Sequence, residues 1–162
     1  MWLSNLSIAQ PIVVQKAPKQ STTNNDTTIR GAVLRWLIKA RDNNTEKVVK
    51  LFDTTNAVKQ VFISANINNI PKSHNITASW LRHVNKWHGN NWKHIWKRAV
   101  TKEDIRLIPD IIKNADNISI SNNFSKNWKI VVKYDKKIWN DIYNYREQYL
   151  WSKLITLTMF IK

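Results

Sequence analysis

Residues 117–121 ("NISIS"), 128–135 ("WKIVVKYD"), 138–145 ("IWNDIYNY") and 154–161 ("LITLTMFI") follow one another with polar breaks between them, and their reading decides the fold. Each run is rich in β-branched and aromatic residues, which suit a pleated, half-buried surface. In the last run, strict alternation puts Leu154, Thr156, Thr158 and Phe160 on one side and Ile155, Leu157, Met159 and Ile161 on the other. Two threonines on one face can hydrogen-bond a phosphate. The other reading is an ordinary strand using Thr for its β propensity alone.

The period changes upstream. Residues 76–88 ("ITASWLRHVNKWH") carry Trp80, Val84 and Trp87 at i, i+4 and i+7, the stripe of an amphipathic helix, with Thr77 as N-cap and Gly89 placed to end it. Residues 91–100 ("NWKHIWKRAV") read as a second helix burying Trp92, Ile95, Trp96 and Ala99. "TKED" (101–104) forms a capping box, Thr101 capping and Asp104 reaching back. The helix it opens breaks near Pro109 and resumes to about Lys113. Further upstream, "VKQVFIS" (58–64) reads as a strand and 65–75 as a loop containing Pro71. "AVLRWLIKAR" (32–41) and "EKVVKLFD" (46–53) read as a hairpin turning at "DNNT", with a helix over 32–41 as the alternative. Residues 1–29 are polar and lack periodicity, so they read as a flexible tail, with a short strand at Ile12–Val14 as an option. The expectation is one α+β domain over 30–162, with helices packed on an antiparallel sheet of about four strands and an additional N-terminal hairpin.

The charge is lopsided. Lys and Arg number 26 against 11 Asp and Glu, for a formal net charge of +15 in 162 residues. Such a surplus attracts polyanions, of which nucleic acid is the commonest, with anionic lipid and acidic protein the others. The chain has no cysteine, which excludes disulfides and thiolate metal sites. No apolar run approaches the roughly 20 residues of a membrane span, and "MWLSNLSIAQPIVVQKAP" does not read as a signal peptide. A cytoplasmic location, in the producing or a target cell, is the expectation.

No Asp or Glu occurs between Asp53 and Glu103, while Lys59, Lys72, Arg82, Lys86, Lys93, Lys97, Arg98 and Lys102 all do, and His74, His83, His88 and His94 fall in the same stretch. A carboxylate-free field depresses imidazole pKa and attracts phosphate; a solvated basic face with incidental histidines is the competing account. Ser79, His83 and Lys86 are spaced to share one helix face. His can move a proton and Lys or Arg can stabilise charge at phosphorus, a pairing suited to phosphodiester cleavage. In RNA the 2′-hydroxyl is the nucleophile, so neither metal nor cofactor is required. The spacing of His83, His88 and His94 fits no standard zinc motif, two glycines cannot build a Gly-rich phosphate loop, and the basic stretch lacks the paired acids of a two-metal nuclease. Most of the nine tryptophans read as core, with Trp87 or Trp92 candidates to stack on bases.

"VFIS" (61–64), "ITASWLRHVNKWH" (76–88), "VTKEDIRLIPDIIKNADNI" (100–118), "WKIVVKYD" (128–135) and "ITLTMF" (155–160) together resemble the phage-associated nucleases of the barnase, EndoU, colicin and RelE-like class, over about residues 58–160. Trp87 splits that class's usual Lys-His pair, Ala115 replaces a proline in "IPDIIKNAD", and "GNNWKHIWKRAV" (89–100) is an insertion. The resemblance implies a metal-independent endoribonuclease with RNA, tRNA among the candidates, as substrate, and an acidic immunity protein or antitoxin as partner. It points to His83, Lys86, His88 and Thr158 as catalytic residues. Ser79, Arg82, Lys93, His94, Lys97, Arg98 and Thr156 are the candidate substrate contacts. A non-catalytic nucleic-acid-binding protein and an inactive inhibitor sharing the nuclease fold are the alternatives.

Overall fold

A computed structural model of the chain describes residues 13–14, 35, 47–87, 98–121 and 130–162, the side chains of 13–14 and 85–87 excepted. It is α+β, with helices packed on one mixed sheet. Strand β1 (Val13–Val14) is only two residues long; β2 (Val48–Asp53) follows. Thr55 then opens helix α1 (Asn56–Ser64), its hydroxyl accepting from the Val58 N–H at 3.4 Å. This corrects the strand expected at 58–64. Val58, Val61 and Phe62 are fully buried at i, i+3 and i+4, and in a strand Val58 and Val61 would point to opposite sides. Helical spacing therefore overrides the β-branched composition.

Strand β3 (Ser73–Thr77) lies where a loop was expected and is buried along its whole length. Its last residue caps α2 (Ala78–Trp87), Thr77 Oγ1 accepting from the Trp80 N–H at 3.1 Å. Trp80, Leu81 and Val84 enter the core. Residues 91–97 of the second expected helix lie outside the described residues, and Arg98 forms a bridge to Ile161 instead of a helical turn. The capping box is present: Thr101 and Asp104 exchange both bonds at the start of α3 (Lys102–Arg106). Leu107 then breaks the helix, and α4 (Ile108–Lys113) restarts with Pro109 in its first turn, where the missing N–H is harmless.

The remaining chain is a meander: β4 (Asn117–Ser121), β5 (Val131–Ile138), β6 (Asp141–Leu150) and β7 (Lys153–Ile161). The sheet order is β1-β4-β5-β6-β7-β3-β2, seven strands rather than about four. All neighbours are antiparallel except β3 and β7, a parallel pair made available by the long intervening connection. The first arm of the expected N-terminal hairpin, 32–41, lies outside the described residues apart from Arg35. β2 pairs with β3, and Arg35 is helical, in line with the helix alternative for 32–41. Val13–Val14, inside the segment read as tail, pair with Ser119 and Ile118.

The helices cover one face, here called inner. Ile118, Ile120, Val132, Tyr134, Tyr143, Tyr145, Leu154, Met159 and Ile161 join Val58, Val61, Phe62, Trp80, Leu81 and Val84 in one core. Fully burying a large apolar side chain contributes about 1.5–3 kcal/mol, so this shared core is what fixes the helices to the sheet. α1 follows β2 at one edge of the sheet and packs against β4 and β1 at the other, so the sheet curls around it. The two hairpin turns are built without glycine. Trp139 (φ 56°), Trp151 (φ 51°) and Ser152 (φ 59°) all hold left-handed backbone, which costs a residue with a Cβ roughly 1–2 kcal/mol.

Candidate nucleic-acid interface

The opposite, outer face of the meander carries the most suggestive juxtaposition. Strand register places Ser119 opposite Lys133, Lys133 opposite Arg146, and Arg146 opposite Thr158. These four side chains form one row across β4, β5, β6 and β7, and each is half-buried. Two cations directly opposed on neighbouring strands repel one another and destabilise the sheet. Neither Lys133 nor Arg146 forms an ion pair among the described residues. The Arg146 guanidinium instead lies over the Phe160 ring, 5.0 Å from its centroid. The nearest outer-face carboxylate is in the next row, where Asp135 pairs with Asn144 and accepts from Asn117 Nδ2 at 3.3 Å.

A β-bulge shapes this row. The register shifts between Arg146 and Glu147, which face Thr158 and Thr156, leaving Leu157 as the extra residue on β7. Strict alternation therefore fails, and Thr156 and Thr158 do not share a face. Leu154, Thr156, Met159 and Ile161 are buried, whereas Thr158 and Phe160 are half-buried on the outside. Thr156 is 5 % exposed; its hydroxyl pairs with the Tyr145 hydroxyl and donates to the Asn75 carbonyl. It cannot open onto a groove beside His83.

The inner face directly behind the row holds a polar network at zero exposure. Glu147 Oε2 is 2.8 Å from His74 Nδ1 and accepts from the Tyr134 hydroxyl at 2.7 Å. The Thr55 N–H donates to His74 Nε2 at 3.4 Å, which leaves the ring proton on Nδ1, facing the carboxylate. Burial, then the charge of Glu147, pushes the Tyr134 and Tyr145 hydroxyls well above the usual tyrosine range. His74 thus corrects the idea of a carboxylate-free histidine stretch. The stretch lacks acids in sequence, but β6 delivers one to it in space.

Arg98 meets acids in the same way. It forms a bidentate pair with Asp104 at 2.7 and 2.8 Å, reaches Asp141 at 2.6 Å, and donates to the Tyr143 hydroxyl at 2.9 Å. Hydrogen bonding to Asp104 raises its pKa further. Burial alone would push Asp104 up, but Arg98, the Thr101 N–H and Tyr143 hold it down at about 2. Burial and Asp104 push Tyr143 up to about 12. This guanidinium ties the chain before α3 to β6, so its charge is already matched within the fold.

Of the other residues singled out in the sequence, Ser79 and His83 share the exposed side of α2 and Arg82 is half-buried beside them. Lys86 lies in the last turn of that helix. His88, Lys93, His94 and Lys97 lie outside the described residues. Among the described residues no three His, Asp or Glu side chains gather as metal ligands, and no helix is long and apolar enough to cross a membrane. Lys133, Arg146 and Ser119 were not singled out in the sequence. The only signal was polar residues alternating with core residues in "VVKY" and "YNYREQY", and register, which sequence does not display, is what brings them together. No family model, no curated protein and no solved structure matches this chain.

Proposed function

We propose that the chain binds RNA across the outer face of β4–β7 and cleaves it without a metal, by attack of a 2′-hydroxyl on the adjacent phosphorus. The observation that carries this reading is the direct opposition of Lys133 and Arg146, neither in an ion pair among the described residues, flanked by Ser119 and Thr158. A phosphate between the two cations turns their repulsion into two charge-assisted contacts, the guanidinium offering a bidentate fork and the ammonium a point charge. The hydroxyls of Ser119 and Thr158 can donate to the remaining oxygens. O2′ attacks phosphorus, the bond to O5′ breaks, and the products are a 2′,3′-cyclic phosphate and a free 5′-hydroxyl. The proton leaves O2′ and one is given to O5′. The row stabilises the added charge at phosphorus, and a guanidinium does not exchange protons at ordinary pH. No imidazole faces the row among the described residues, since His83 is exposed on α2, on the helix-covered side of the sheet; the proton from O2′ therefore passes to solvent and O5′ takes one from it.

The test is cleavage of labelled RNA in excess chelator, with wild type, Arg146→Ala, Lys133→Ala and His83→Ala. The expected result is cleavage by wild type, ending in a cyclic phosphate, lost in Arg146→Ala and Lys133→Ala and kept in His83→Ala; loss in His83→Ala alone would move the site to the helix side of the sheet. A second reading, a non-catalytic RNA-binding protein, is favoured by the composition of the row, which holds hydroxyls and cations but no imidazole. Binding that weakens steeply with salt, with the RNA left intact, would select it. Absence of both binding and cleavage would remove the interface altogether.

A further inference from the structure

The β6–β7 turn consists of Trp151 and Ser152, both with φ above zero. Leu150 pairs with Lys153 across it, so it is a two-residue turn of the kind that favours Asn-Gly or another glycine-containing pair. A tryptophan gives this turn no conformational advantage. It gains little from burial either, since Trp151 is 86 % exposed. Lys153 follows it, and Lys72 approaches from the start of β3, its N–H donating to the Ser152 carbonyl at 2.8 Å. Both lysines are exposed. The acidic residue on the neighbouring strand, Asp53, is held by Lys50 Nζ at 2.6 Å. The tip therefore presents an exposed indole with two exposed lysines adjoining the turn.

Its position relative to the row matters. Lys153, Ile155 and Thr158 lie on the outer face of β7, and Arg146, Gln148 and Leu150 on the outer face of β6. Arg146 and Leu150 are four residues apart, so the turn lies about 13–15 Å along the strand from the row. That is within reach of the same single strand of nucleic acid.

We infer that Trp151 is a base-stacking contact for single-stranded RNA, with Lys72 and Lys153 holding the phosphates on either side of the stacked base. This rests on the outer face being the RNA-binding face. An indole stacks on any base, so the contact is indifferent to sequence but requires an unpaired base. It also explains why a residue poorly suited to left-handed backbone occupies the turn.

The experiment measures affinity of the full chain for a fluorescent single-stranded RNA, for the same strand with abasic sites, and for a duplex. The variants are Trp151→Gly, Trp151→Phe and Trp139→Ala, with melting followed in parallel. Trp151→Gly is expected to melt no lower than wild type, because glycine suits the left-handed backbone. It should nevertheless bind the single strand about fivefold or more weakly, with little change for the abasic strand or the duplex. Trp151→Phe should retain most of the affinity. Trp139→Ala, at the far end of β6, should bind like wild type. Equal loss on all three ligands would overturn stacking in favour of a general effect on the surface. Unchanged single-strand affinity in Trp151→Gly would overturn the inference and leave the row's role intact. A wild-type protein that binds none of the three would overturn both.

Discussion

Arg146 and Glu147 are adjacent on β6, carry opposite charges and point to opposite faces of one sheet. Glu147 faces the core at zero exposure, and the fold brings two partners to one of its oxygens, His74 and Tyr134. Arg146 faces outward beside another cation and, among the described residues, has an aromatic ring but no carboxylate for company. A buried charge without partners costs several kcal/mol, so the inner residue is held by what surrounds it. A half-exposed cation opposite another is tolerated at a modest cost, and the simplest return on that cost is an anionic ligand. If the outer row binds RNA as proposed, the inner network answers to stability and the outer row to binding, and substitutions on the two faces should separate those properties.

The largest effect is expected inside. His74→Ala removes one of the two partners of Glu147 Oε2 and leaves a cavity beside the Phe52 ring, whose centroid is 4.8 Å from that of His74. Leaving a buried carboxylate one hydrogen bond short costs about 1–3 kcal/mol or more, and the cavity adds to that loss. Denaturant unfolding should show that loss, while the molecules that remain folded bind RNA as before. If stability fell by less than about 1 kcal/mol, the network would not hold the inner face together as argued.

The outer row should behave in reverse. Lys133→Ala and Arg146→Ala should leave unfolding unchanged or slightly favourable, since each removes a like-charge opposition. Each should weaken RNA binding by about 1.5–3 kcal/mol, the range for a hydrogen bond to a charged group. The slope of log affinity against log salt should fall by about 0.7 per cation removed. A variant that lost stability without altering the salt slope would place these cations among the structural residues.

What sequence shows of this molecule follows the range of the interactions involved. The Thr77 cap, the Thr101/Asp104 box, the break before Pro109 and the strands from Asn117 onward are local and were legible. α1 reads as a strand because Val58, Val61 and Phe62 carry β-branched composition as well as helical spacing, and Thr55, its cap, is the one local sign of a helix start. β3 was invisible because "SHNIT" is polar, and only its neighbours in the sheet make it buried. The Thr156/Thr158 pairing failed on one inserted residue, Leu157, since a single bulge reverses every side chain beyond it. In sequence Arg98 reads as a phosphate contact because no acid precedes Glu103 near it, yet Asp104 and Asp141 reach it in space.

The Arg98 cluster gives a smaller, pH-dependent effect. Asp104 is held at about 2, below the ordinary aspartate value of 3.8. A depressed carboxylate stabilises the fold fully above its unfolded value and loses that contribution as pH falls through the folded value. Wild type should therefore lose part of its stability between about pH 4 and pH 2. Asp104→Asn breaks the capping box and the bidentate pair, and should cost about 1–2 kcal/mol at neutral pH. It should also lose less on acidification over that window. Equal acid sensitivity in variant and wild type, by urea midpoint, would assign the acid response to other carboxylates.

The smallest effect is expected at the sheet's edge. β1 contributes two residues, Val13 and Val14, paired with Ser119 and Ile118. Each backbone hydrogen bond adds about 0.5–1.5 kcal/mol net, and ordering each residue costs about 1–2 kcal/mol. These nearly cancel, so a two-residue edge strand adds little by pairing alone. Deleting residues 1–14 should lower stability by less than about 1 kcal/mol, far below the effect of His74→Ala at the sheet's centre. RNA binding should be unchanged or slightly stronger, because Val13 is the edge-side neighbour of Ser119, the row's first residue. α1 also packs against β1, and that contact is what could make the deletion costly. A loss of several kcal/mol on deletion would mean that β1 helps close the curled sheet over α1, and that the domain begins before residue 30.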